Sequence, residues 1–115
     1  MNRNELIRTV RDMIAAPSCC AELRDAGEKW LSALGTPGEK NAGAALLAEA
    51  KEDISTIGHT VSFFESEDGV RIFGKEQAAA MAAHARELKA SGAKWCDCPA
   101  CAACEKIMDN AELLA

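Results

Sequence analysis

The chain has 115 residues, of which 49% are hydrophobic and 27% charged, an ordinary globular composition that excludes a disordered chain. Its length suits one domain with one core, here 1–115. The 18 acidic and 13 basic residues give a net charge of -5, and with no Lys/Arg block and no interleaved aromatics this argues against a nucleic-acid surface.

The segment Met1-Asn2-Arg3-Asn4-Glu5-Leu6 lacks the apolar stretch that a signal peptide or membrane span needs. The expected location is the cytoplasm, with no membrane partner. There the reducing thiol pools disfavour structural disulfides, so six cysteines in a short chain point to metal or redox chemistry.

In chain order, Leu6, Val10, Met13 and Ile14 recur at helical spacing after Asn4, a candidate N-cap, and the pattern stops at Ala16-Pro17. Helix one is expected over about 4–16. Ser18 then caps a second helix over about 18–34, with Leu23, Ala26, Trp30 and Leu34 on one face and Gly35 as its stop. Thr36-Pro37-Gly38-Glu39 has the pattern of a capping box with proline at the first helical position. Leu47, Ala50, Ile54, Ile57, Val61 and Phe64 continue from it as the seam of a third helix, curved or kinked near Ser55 and Gly58 and running to about Ser66.

The competing reading of the region near 60–73 is a short hairpin, because β-branched and aromatic residues crowd Thr60–Phe64 and Val70–Phe73. The unbroken seam and the marginal stability of an isolated hairpin favour helix. Residues 75–90 are rich in strong helix formers and stop at Ser91-Gly92. Finally, Ala100, Ala103, Ile107, Ala111 and Leu114 define a helix over about 99–114. The expected fold is all-α, a compact bundle of about five helices.

The cysteines fall in two places, Cys19-Cys20 and Cys96, Cys98, Cys101 and Cys104. A soft metal needs several thiolates converging on it, at about 2.3 Å for zinc, and a sharply turning chain with a thiol at every second or third position can supply them. Pro99 sets the first turn of the last helix, which places Cys98 near its N-cap and Cys101 at its third position, facing the positive helix end. Cys19 and Cys20 are expected in the first turn of helix two, where the dipole lowers thiol pKa. If the two helix starts meet, a tetrathiolate forms. Cys104 lies on the apolar stripe of the last helix and reads equally as core.

The candidate ligands are therefore Cys19, Cys20, Cys96, Cys98, Cys101 and Cys104, with zinc as the expected ion. An iron–sulfur cluster is the alternative, because Cys98-x-x-Cys101-x-x-Cys104 matches the first three ligands of a ferredoxin-type loop. A thiol–disulfide redox protein using Cys98-Pro99-Ala100-Cys101 is the third class, although no βαβ pattern surrounds the motif. His59 and His84 each stand alone and read as surface residues, and the acidic run Glu65, Glu67, Asp68 reads as solvated. No phosphate loop or catalytic triad pattern supports an enzyme. A leftover apolar face would leave a homodimer open.

At Pro17-Ser18-Cys19-Cys20 together with Cys96-Asp97-Cys98-Pro99-Ala100-Cys101, the chain resembles a family of small bacterial proteins, mostly from anaerobes, that are often labelled heat-shock chaperones. The likeness spans the whole chain and implies a helical, cytosolic protein with a cysteine site. The chaperone label does not suit a chain this short, without a nucleotide-binding motif.

Overall fold

The computed structural model describes residues 1–114, and they are all-helical, with no β-strand among them. Among the described residues, seven α-helices and one short 3₁₀ turn stand where about five helices were expected. The chain divides into two compact units, Met1–Ile54 with Asp97–Ala115, and Ser55–Cys96.

In the first unit, α1 (Arg3–Ala15) starts at Asn2 rather than Asn4. The Asn2 side chain accepts the Glu5 N–H at 2.8 Å while the Glu5 carboxylate accepts the Asn2 N–H, a complete capping box. The next helix, α2 (Ala21–Ala33), begins three residues later than expected, with Cys20 at the N-cap. α3 (Glu39–Asp53) begins after Gly38, and the expected capping box is incomplete: the Thr36 hydroxyl accepts the Gly38 N–H and donates to the Ala33 carbonyl, but the Glu39 carboxylate accepts the Gly35 N–H rather than that of Thr36. α7 (Pro99–Asp109) completes the unit, ending at Asn110, whose side-chain amide donates to the Lys106 carbonyl at 2.8 Å. Residues Ala111–Leu113 form the 3₁₀ turn.

α1 packs on α2, α2 on α3, and α7 on both α1 and α3. Leu6, Val10, Met13, Leu23, Trp30, Leu46, Ala50, Cys104 and Ile107 meet in the core, each at most 2% exposed. Burial of one such large side chain stabilises the fold by about 1.5–3 kcal/mol. Gly43 of α3 lets the C-terminal turn approach: a Cβ there would stand 2.7 Å from the Leu114 carbonyl oxygen.

In the second unit, α4 (Ile57–Glu65), α5 (Glu67–Phe73) and α6 (Lys75–Ala90) pack with α6 against the other two. The long third helix expected over 36–66 is thus two helices. The break has a non-local cause, because the chain leaves helical geometry to pair with a distant segment. The Ile57 N–H donates to the Lys94 carbonyl and the Cys96 N–H to the Ser55 carbonyl, both at 2.9 Å, around an antiparallel bridge of Thr56 with Trp95. Thr56 then caps α4 by accepting the His59 N–H at 3.2 Å.

The hairpin alternative near 60–73 is also overturned. Ser66 ends α4 and starts α5, its hydroxyl donating to the Phe63 carbonyl at 2.6 Å and accepting the Gly69 N–H at 3.2 Å. The β-prone Phe63, Phe64 and Phe73 instead form an edge-to-face cluster with ring centroids 5.5–6.4 Å apart, so tertiary packing outweighs strand propensity here. Ile57, Val61 and Ala85 form the buried core of this unit, with Leu88 against it.

Candidate metal centre

Each of the three closest thiols is positioned by a local rule. Cys96 follows the bridge, its backbone tied to Ser55. Cys98 is the N-cap of α7, Pro99 its first residue and Cys101 its third, as the proline predicts. The backbone N–H of Cys101 donates to the Cys98 sulfur at 3.4 Å, so a thiol takes the place of the usual capping hydroxyl. Cys96 and Cys98 are half-buried and Cys101 is buried.

The sulfurs of Cys96, Cys98 and Cys101 all lie within 4.8 Å of one another. Thiolates sharing one tetrahedral zinc stand about 3.8 Å apart, so small side-chain rotations suffice to bring these three onto a single ion. The N-terminus of the 11-residue α7 favours the negative charge that three thiolates would gather.

The other three cysteines stand outside that trio. Cys104 lies one turn further along α7 at 1% exposure, and burial pushes its thiol up to about 12, with the charges of Asp53, Cys19 and Cys98 adding to the effect. Cys19, 5% exposed, immediately precedes the N-cap of α2, and its thiol donates to the Cys20 carbonyl at 3.6 Å. Cys20 is exposed and its sulfur donates to the Asp53 carboxylate at 3.3 Å.

The dipole of α2 was expected to lower both of these thiols, and the opposite holds. Burial raises Cys19 above the ordinary thiol value, against the pull of Arg24, with Asp53 and Cys98 raising it further. Cys20 is raised by desolvation first, the Leu23 backbone opposing and Asp53 reinforcing.

Two positioning features were not legible as such in the sequence. Ser18 does not cap α2; its hydroxyl accepts the N–H of Ala100, the second residue of α7, at 3.4 Å. Arg24 clamps the same turn, donating to the Ile14 carbonyl at 3.1 Å and the Cys19 carbonyl at 3.2 Å. The spacing of Glu49 and Asp53, one helical turn apart on α3, was the available signal for the acidic pair beside Cys20.

His59 and His84 are exposed, as expected. Glu65 pairs with Arg86 and Asp68 with Arg71 on the surface, where such pairs contribute little. No helix among the described residues is long and apolar enough to cross a membrane. Comparison with known proteins finds no matching family model, no similar curated protein and no similar solved structure.

Proposed function

We propose that this protein is a small metal-thiolate protein, an accessory or regulatory module in which Cys96, Cys98 and Cys101 hold one zinc ion. The observation that carries the reading is the convergence of three sulfurs within 4.8 Å from one six-residue stretch of chain. An ion bound here would draw the three thiols into the thiolate form, and a divalent soft ion supplies the counter-charge that three converged thiolates need. Because ligands must lose their protons and the unfolded chain offers no such arrangement, the binding energy becomes folding energy.

An iron–sulfur cluster is the second reading, supported by the Cys98-x-x-Cys101-x-x-Cys104 spacing. The burial of Cys104 inside α7, outside the trio, ranks it below zinc.

The test is metal analysis of the full chain purified without oxygen, followed by chelation. One zinc per chain, with a melting temperature that drops on chelation and returns with zinc, supports the reading. A brown protein bleached by dithionite selects the iron–sulfur cluster instead. A colourless protein with no stoichiometric metal, whose melting is indifferent to added zinc, rejects both.

A further inference from the structure

Three sulfurs leave a tetrahedral ion one position short, and the identity of the fourth ligand decides whether the centre is closed and structural or open to an exchangeable group. This inference rests on the metal reading above and refines it. The geometry points to Cys19 as that fourth ligand, which makes the centre a closed tetrathiolate.

The first support is the clasp between the Cys19 turn and the start of α7. The Ser18 hydroxyl accepts the Ala100 N–H at 3.4 Å. Ser18 is the residue before Cys19, and Ala100 is the residue before Cys101 and two after Cys98, so one hydrogen bond sets the Cys19 backbone beside the backbone that carries two of the three converged sulfurs.

The second support is charge. A tetrathiolate of a divalent ion carries two net negative charges, so its ligands need donors and cations around them. The guanidinium of Arg24 is fixed at the Cys19 carbonyl and again at the Ile14 carbonyl, and the N-terminus of α7 faces Cys98 and Cys101. Asp53 acts on both thiols, but it bonds directly to the Cys20 sulfur, at 3.3 Å, with Glu49 and Glu22 nearby on the same acidic face. A thiolate at Cys20 would be repelled there.

The third support is exclusion of the remaining thiol. Cys104, at 1% exposure, is packed into the core of the first unit. Turning it toward the α7 N-terminus would open a hole in that core, a cost of about 24 cal/mol for each Å³ vacated. The Cys19 sulfur lies outside the 4.8 Å trio, so it must turn toward it, giving up its weak bond to the Cys20 carbonyl for a bond to the ion and releasing its proton to water. On loading, four thiols give up four protons and each sulfur donates one electron pair, with no change of oxidation state.

The experiment counts sulfurs. Full-length apo protein, kept reduced, is titrated with cobalt(II), and the zinc-loaded wild type is measured by X-ray absorption. The expected result is four sulfur ligands in both, with the intense visible bands of a tetrahedral cobalt tetrathiolate. In Cys19→Ser those bands weaken and move to higher energy, and affinity falls by more than about tenfold, since even the loss of supporting contacts reaches that. Cys20→Ser and Cys104→Ala keep the four-sulfur bands. If Cys19→Ser does not fold, four sulfurs retained in both other variants still assign the ligand by elimination.

Three sulfurs and a solvent oxygen in the wild type overturn this inference and leave the metal reading standing. So does a loss of the four-sulfur bands in Cys20→Ser or Cys104→Ala. Cobalt and zinc that do not bind at all overturn the metal reading itself, and this inference with it.

Discussion

The sulfur of Cys98 accepts the backbone N–H of Cys101 at 3.4 Å, so the residue that starts α7 is at once its cap and a candidate metal ligand. The two roles make different demands on position 98. Serine caps a helix better than cysteine but ligates a soft metal far less well. Cys98→Ser is therefore expected to leave the chelated protein as stable as wild type, or more stable by about 0.5–1 kcal/mol, while abolishing the stabilisation by zinc. Denaturant melts with and without chelator check this; equal loss in both states would make Cys98 purely structural.

Cys104 makes a contrasting case. Its side chain is buried among core residues of the first unit, and its contribution is packing. Cys104→Ala should cost about 1 kcal/mol, the scale of one core methylene. The loss should be the same in apo and zinc-loaded protein, with zinc stoichiometry unchanged. A loss confined to the loaded form would return Cys104 to the ligand set.

Glu49 predicts a pH dependence. The neighbouring Asp53 carboxylate, hydrogen-bonded to it, is the first cause raising its pKa from 4.5 to about 7, with desolvation and the charges of Glu52 and Glu22 contributing. The folded state holds this proton more tightly than the unfolded state, so the group's contribution is fully present below pH 4.5 and is lost as pH rises through about 7. Glu49→Gln should therefore be more stable than wild type at pH 8, with the difference closing toward pH 4.5. Added salt should shrink the gap, because the site is open to solvent. Thermal melts across that range decide it, and a gap that widens in acid would reverse the sign.

Gly69 marks a close approach of α4 and α5. A Cβ at this position would press into the Phe63 carbonyl and stand 3.1 Å from the Phe64 Cα, both rigid backbone. Gly69→Ala is expected to destabilise by about 1–3 kcal/mol despite alanine's better helix propensity. Gly58, with nothing near its absent Cβ, is the control: Gly58→Ala should be neutral or stabilising. Urea melts of the pair provide the comparison.

Local chemistry was legible where a residue's neighbours in sequence are also its partners in space. Helix α6 spans the expected 75–90, because its composition and Ser91-Gly92 stop act within the segment. The placement of Pro99, Cys98 and Cys101 at the start of α7 is likewise a property of a few consecutive residues. The shifted starts of α2 and α3 show the limit: Ser18 and Glu39 are good capping groups bonded elsewhere, and the Thr36 hydroxyl, which accepts the Gly38 N–H, also donates to the preceding turn.

What the sequence determined by itself is the helical class, the clear helix α6 and the turn that converges Cys98 with Cys101, because backbone propensity and capping act over four residues or fewer. Tertiary structure decided the break at Ser55 and the hold it gives the Cys96 backbone, since both depend on pairing residues about forty positions apart. It also decided that Cys20 faces Asp53 while the Ser18 beside Cys19 clasps α7. Arg24 reaches the Cys19 carbonyl from five residues along the chain, but the Asp53 carboxylate at Cys20 and the α7 contact beside Cys19 come only from the packing of distant helices.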